Sequence, residues 1–330
     1  MARSGNEGLV LGLTVLITAG LAGGGYWFFT RNNPNGLQQV ITPNPASTVN
    51  PVPPVSKDPT PAPPNSTTAA LDTSLPNPQV LNMDGSVTMV ALIKRLQLAY
   101  AQVNLNIPST FGVPDGRPNG TNAGLKNLMQ GIVNIAACSR PLKAEEIQSG
   151  LLGVPVARDA LAVVVGIDNP YKGGLTLNQL RGIFQGTITN WEQVGGAKQP
   201  IKVINRATES GTRTFFKDAV LLGGDFAPDS KDFTTLPHDE TTPMLRALGK
   251  NGIGYSTVQQ AVNQEIVRIV PIDGVAPTDV NAVKTGVYPI SRVVLLVAKK
   301  QTSPVVKEFI DLALSQVGQE IVRQVGFIPL

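Results

Sequence analysis

The stretch Ile201-Lys-Val-Ile-Asn-Arg206-Ala-Thr-Glu-Ser210-Gly-Thr212-Arg213 reads as a short apolar strand, Ile201 to Ile204, that turns through small and polar residues into a helix, Thr212 to Leu222. A helix N-terminus presents unpaired N–H groups and a partial positive charge. Arg206 follows the strand four residues before Ser210, so its guanidinium and the start of the helix can face one ligand. Arginine supplies planar, multidentate recognition of oxyanions.

The same alternation continues on both sides of this unit. Thr88 to Val103 reads as an amphipathic helix with Met89, Leu92, Ile93, Leu96 and Tyr100 on one face. A helix from Gly124 to Met129 precedes the apolar run Ile132-Val-Asn-Ile-Ala-Ala137. Ala160 to Ile167 is a nearly continuous apolar strand, the type buried on both faces of a parallel sheet, and Arg292 to Ala298 is similar. Ser303 to Val325 reads as a helix. The pattern predicts open, mixed α/β sheets from about Leu81 to Leu330, and no repeat of fixed period is present.

Two further segments place Gly and hydroxyl residues just before a helix: Asp84-Gly-Ser-Val-Thr88 and Gly120-Thr-Asn-Ala-Gly124. Taken singly, each reads as an ordinary helix cap, since Ser and Thr are common there. Three such termini converging on one point would bind a tetrahedral oxyanion without a metal, and Arg206 gives the third that weight.

Composition narrows the chemistry. The 330 residues hold 27 Lys+Arg against 23 Asp+Glu, a net +4, with no basic clusters of the kind nucleic-acid binders carry. One Cys and one His exclude an intrachain disulfide and a structural zinc site. No cofactor motif and no Walker A element is present. A hydrolase using Ser210 with His238 and Asp239 is disfavoured, because there is no G-x-S-x-G elbow and His238 lies in a polar loop. Cys138 reads as a small buried residue and Trp191 as core.

The N-terminus addresses the chain to a membrane. Gly8 to Phe29 carries no charge and ends in Tyr26-Trp-Phe-Phe29, long enough at about 1.5 Å per residue to cross a core of about 30 Å. Residues 1–30 read as a retained transmembrane anchor rather than a cleaved signal, because the apolar run continues past the small-x-small site Gly20-Leu-Ala22. Residues 31–80 are rich in Pro, Asn, Ser and Thr and read as a disordered tether, able to reach up to ~150 Å when extended. The folded domain is expected outside the cytoplasm.

Arg206-x-x-x-Ser210-Gly-Thr212-Arg213 resembles the R-x-x-x-S-G-T element of phosphate-binding proteins that serve ABC transporters, the PstS-like family. In the same order, Gly85-Ser-Val-Thr88 and Gly120-Thr-Asn-Ala-Gly124 are similar to that family's first and second phosphate loops, and Ile135-Ala-Ala-Cys-Ser-Arg-Pro-Leu142 to its third element. Leu175 to Trp191, Gly252-Ile-Gly-Tyr255, Tyr288-Pro-Ile-Ser-Arg292 and the ending from Gly318 to Leu330 also match, so the resemblance covers nearly all of 81–330.

The resemblance implies a type II periplasmic-binding fold, two α/β lobes joined by crossover strands with the ligand in the cleft. Lobe I would comprise about 81–162 and 268–330 and lobe II about 163–267, with hinges near Ala160–Val165 and Arg268–Pro271. Val87 and Thr88 would donate from the first loop, Thr121 from the second, Ser139 from the third, and Arg206, Ser210, Gly211 and Thr212 from the last. The implied function is capture of inorganic phosphate by a monomer, without catalysis or cofactor, for delivery to an ABC permease. The alternative is a membrane-tethered oxyanion sensor or scaffold on the same fold. Two positions depart from the family: Ser139 stands where an Asp is frequent, and Val87 where a hydroxyl residue is. Glu209 is expected to pair with Arg206.

Overall fold

The computed structural model describes residues 68–262 and 264–330. Its strands are β1 (Leu81–Gly85), β2 (Ser109–Phe111), β3 (Ile135–Cys138), β4 (Leu151–Gly166), β5 (Lys202–Asn205), β6 (Phe233–Thr235), β7 (Gly252–Thr257), β8 (Val267–Val270) and β9 (Ser291–Lys299). They follow the order β2-β1-β3-β9-β4-β7-β5-β6, with β8 also paired to β4.

β4 decides the architecture. The apolar run expected from Ala160 is only its second half. From Leu151 to Ala160 it pairs antiparallel with β9, ending at Ala160↔Ser291. From Leu161 it pairs instead with β7 and β8. One strand therefore serves two sheets, and its partners change at Ala160–Leu161. The first half is not legible as strand because Gly153, Pro155 and Arg158 interrupt its apolar pattern, and a register shift between Pro155 and Ala157 absorbs the irregularity.

Each half-sheet is covered on both faces, as strict alternation requires. In the first, Val154, Val156, Val294, Leu296 and Ala298 point to a core with the helices Val90–Val103, Pro304–Leu314 and Gln316–Gln324, while Ala136, Cys138, Leu151 and Val297 point to the opposite side under the helix Thr121–Met129. In the second, Leu161, Val163 and Val165 face one core and Ala162 and Val164 the other. Trp191, stacked on Tyr171 at 4.7 Å, belongs to the larger of these.

Three expectations are corrected. The segment 268–290, assigned to the first lobe, packs Ile272, Ala282, Val283, Tyr288 and Ile290 into the second core, so the return crossing lies at Ile290–Ser291 rather than at Arg268–Pro271. The C-terminal helix is two helices, because Ser315 is extended at ψ 167° and its side chain accepts from Gly318 N, capping the second. The tether does not run on to residue 80: Leu71 is buried, and Asp72 exchanges backbone hydrogen bonds with Lys300 and Thr302. The anchor over 1–30 and the rest of the Pro-rich tether lie outside the described residues. Among those described, no helix is long and apolar enough to cross a membrane.

Candidate functional site

Arg206 stands one residue beyond β5, and the chain turns through Ala207 to Ser210 before the helix Gly211–Ala219 begins. Ser210 is the N-cap, its Oγ accepting from Arg213 N at 3.4 Å and from Arg206 Nε at 3.0 Å. Arginine and helix start are thus tied together through one hydroxyl.

The opposite lobe brings its loops against this helix. Gly124 lets the helix Thr121–Met129 approach the end of β1, since a Cβ there would lie 2.4 Å from Gly85 Cα. Gly85 itself, at φ +130°, has no room for a side chain beside Ala137. Buried Asp84 holds the 113–120 loop, accepting from Asn119 N at 3.0 Å and Nδ2 at 2.9 Å, and from Asn127 Nδ2 at 2.7 Å.

These constraints converge the expected residues. Thr88 Oγ1 is 3.1 Å from Thr212 Oγ1. Thr121 Oγ1 is 3.1 Å from Ser139 Oγ and accepts from Ser139 N at 3.2 Å. Gly211 is pressed against both Thr121 and Ser139. Thr88, Thr121, Ser139, Arg206, Ser210 and Thr212 are each no more than 2% exposed. Val87 opens the short turn before the helix Val90–Val103, half-buried, with its carbonyl accepting from Gln260 Nε2 of the second lobe at 3.2 Å. Gln259 Nε2 donates likewise to Thr88 O at 2.6 Å.

Arg206 pairs with Asp239, not with Glu209. Its Nε and Nη2 donate to Asp239 Oδ1 at 2.9 and 2.5 Å, and Nη1 reaches Thr241 Oγ1 at 3.3 Å. Glu209 is exposed; its carbonyl accepts from Asn122 N across the lobes at 3.1 Å. The hydrolase arrangement fails on the same contacts, because Asp239 serves Arg206 and Ser210 Oγ accepts from two N–H groups. Cys138 is buried and donates to Arg140 O; burial pushes its thiol up to about 11, so it is not a thiolate nucleophile at neutral pH.

A second arginine reaches the site with no local signal in the sequence to announce it. Arg292 on β9 is paired with Asp159 of β4, directly across the ladder, at 2.8 Å. Its Nη1 donates to Thr212 Oγ1 at 3.0 Å and to Ser139 O at 2.7 Å, and its Nη2 to Thr88 Oγ1 at 3.3 Å. Burial pushes the Asp159 carboxyl up and the Arg292 guanidinium down, and each partner opposes the other's shift. Arg140, by contrast, is occupied by Glu146 at 2.6 Å and by Asn122 Oδ1. Each buried guanidinium therefore has its own carboxylate. What remains for a ligand is hydroxyls, backbone N–H groups, the Arg206 Nη hydrogens that Asp239 and Thr241 do not take, and the positive end of a helix, a donor set suited to an oxyanion. Among the described residues, no group of three or more His, Cys, Asp or Glu is placed to hold a metal ion.

The model of the PBP superfamily domain matches residues 63–317. The phosphate-binding protein PstS of Pseudomonas aeruginosa is 30% identical over 303 residues, across 80% of this chain and 90% of its own. PstS of Bacillus subtilis is 31% identical over 255 residues, across 76% and 80%. The crystal structure of an ABC-type phosphate transport receptor from Vibrio cholerae aligns with a TM-score of 0.63 at 27% identity, across 76% of this chain and 100% of that one.

Proposed function

The chain belongs to the PBP superfamily, among the PstS-like phosphate-binding proteins, and on that footing we propose that it is an extracytoplasmic receptor that captures inorganic phosphate between its lobes for an ABC importer. The observation that carries this is the meeting of Arg206 and the N-terminus of the helix Gly211–Ala219, from one lobe, with Thr88, Thr121 and Ser139 from the other. Hydroxyls and backbone N–H groups from both lobes would surround the anion, with Val87, Thr88, Thr121, Ser139, Arg206, Ser210, Gly211 and Thr212 around it.

The mechanism follows from where those donors sit. An anion bound to one lobe alone meets half of them; bringing the lobes together adds the rest, so the ligand favours the closed arrangement by the strength of the hydrogen bonds it makes only there. Water is replaced by charge-assisted hydrogen bonds in a buried site. Opening against a permease would release the anion into it. The superfamily's members are binding proteins rather than enzymes, and we assign this chain no catalytic step. Gly8 to Phe29 would hold it to the membrane as a monomer.

Calorimetric titration of the full chain, freed of anion, with inorganic phosphate tests the reading. One phosphate per chain is expected; no heat with phosphate, arsenate or sulfate would sink it. The sensor alternative is not favoured by relatives named as phosphate-binding proteins and a transport receptor.

A further inference from the structure

The cover over the Cys138 face of the first sheet stops short of the hinge end of β4 and β9. The helix Thr121–Met129 packs mainly on β1 and β3, and only the five-residue helix Ala144–Gln148 leans on β4. A groove of about 800 Å³ is left beside the hinge. Its floor is the ladder pair Pro155 and Leu295. Leu142 and Ile147 of the first lobe form one wall, Phe215 and Val283 of the second lobe the other. This volume, an apolar lining and a few polar groups are what small-molecule sites have.

The charges on the lining have one sign. They are Arg158, Arg292 and Lys300, with no carboxylate beside them. Arg292 is taken by Asp159. Arg158 and Lys300 are exposed, and neither side chain has an ion-pair partner among the described residues. Arg158 stands at the hinge end, across the ladder from Val293 and beside Ser291. Leu151 marks the far end, about 20 Å away along the strand. A guanidinium and a hydroxyl at one end of a long apolar path are complementary to an anionic head on a hydrocarbon tail.

We propose that this groove binds a long-chain fatty acid, with its carboxylate on Arg158 and Ser291 and its tail over Pro155 and Leu295 toward Ile147 and Leu151. The site is separate from the phosphate cleft, and its occupancy does not depend on the phosphate reading. Its walls come from both lobes, so the bound acid favours the arrangement in which Thr88 meets Thr212. Phe215 belongs to the helix whose N-terminus enters the cleft, and its ring lies 5.6 Å from Arg292. Fatty acid and phosphate therefore tighten each other's binding, by the same factor in both directions.

The test labels the full chain, freed of anion, with a palmitate analogue carrying a photoreactive diazirine at the tail end, and maps the product by mass spectrometry. Labelling is expected on the peptides that hold Ile147 and Leu295. Palmitate should compete about tenfold better than hexadecanol, which has the same tail without the charge. Saturating phosphate should strengthen that competition about fivefold. Arg158→Glu should erase the preference for palmitate. Ile147→Asp, at a position 50% exposed, should weaken both competitors about tenfold. Phosphate affinity without the amphiphile should be unchanged in both variants. Labelling confined to Gly8–Phe29, equal competition by hexadecanol, or indifference to both substitutions or to phosphate overturns the proposal. So does labelling that needs the analogue in a bilayer vesicle, or a groove closed by a second copy of the chain in sedimentation. A wild type that binds no phosphate overturns the phosphate reading, and the label map and the two variants then decide this site alone.

Discussion

A Cβ built on Gly211 would stand 2.2 Å from Thr121 Oγ1 and 2.8 Å from Ser139 Oγ, so the two lobes meet at this point with no clearance for a methyl group. Alanine is compatible with the first helical position, and the helix of the second lobe should form as before. Gly211→Ala is expected to leave thermal stability nearly unchanged while weakening phosphate by about ten- to a hundredfold, the cost of overpacking at a contact made only on closure. Wild-type affinity in calorimetry would show that the lobes need not meet here.

Arg206→Ala and Arg140→Ala should both destabilise the fold but differ in binding. Arg206 contacts Ser210 at the helix start, and its removal is expected to abolish measurable phosphate binding while stranding Asp239, whose side chain is 5% exposed. Arg140 is bound to Glu146 and Asn122; removing it strands a carboxylate whose side chain is 10% exposed, at a cost of about 3 kcal/mol of folding stability. Phosphate affinity of the folded Arg140→Ala protein should stay within about tenfold of wild type. Urea melts paired with titrations check both, and a reversed pattern would exchange the roles of the two arginines.

The glutamines Gln259 and Gln260 donate to Thr88 O and Val87 O across the cleft. Gln260 Oε1 also accepts from Thr241, which accepts from Arg206. The two bonds to Thr88 O and Val87 O exist only while the lobes touch, so their loss should appear in release. Replacing both by Ala is expected to speed phosphate dissociation about three- to thirtyfold, with the melting temperature of the anion-free protein unchanged. Stopped-flow release at the wild-type rate would remove the latch from the account.

Cys138 gives a pH dependence with a definite sign. Burial pushes its thiol from 9.0 to about 11, against weaker pulls from Arg140 and Arg292. Between those values the unfolded chain has lost the thiol proton and the folded chain retains it. The folded state then binds more protons, and stability falls as pH rises. The thiol should also resist alkylation at pH 8 until the chain is unfolded. A Cys138→Ala protein with the same decline between pH 9 and 11 would assign the effect to another group.

Local patterns carry most of what is legible in the sequence. The unit from Ile201 to Thr212 and the helix starts at Val87 and Thr121 can be placed because caps, small residues and apolar periodicity act over a few neighbours. The pairing of Arg206 with Asp239, 33 residues away, cannot, since nearby Glu209 is the only partner the local sequence offers. Arg292 closes the segment Tyr288-Pro-Ile-Ser-Arg292 with no local mark of its role, because that role depends on β9 lying beside β4 and on Thr88 and Thr212 arriving from different lobes. The first half of β4 is hidden by residues that a ladder tolerates and a pattern does not.

The position of β9 has a consequence for how the polypeptide is made. It lies between β3 and β4, so the first sheet lacks its middle strand until the ribosome has passed Lys299. The strands of the second sheet are all in hand before then. During synthesis the N-terminal half stays open and threadable through a translocation pore, and a nascent chain halted before Ser291 should offer a protease its first half while its second is already protected.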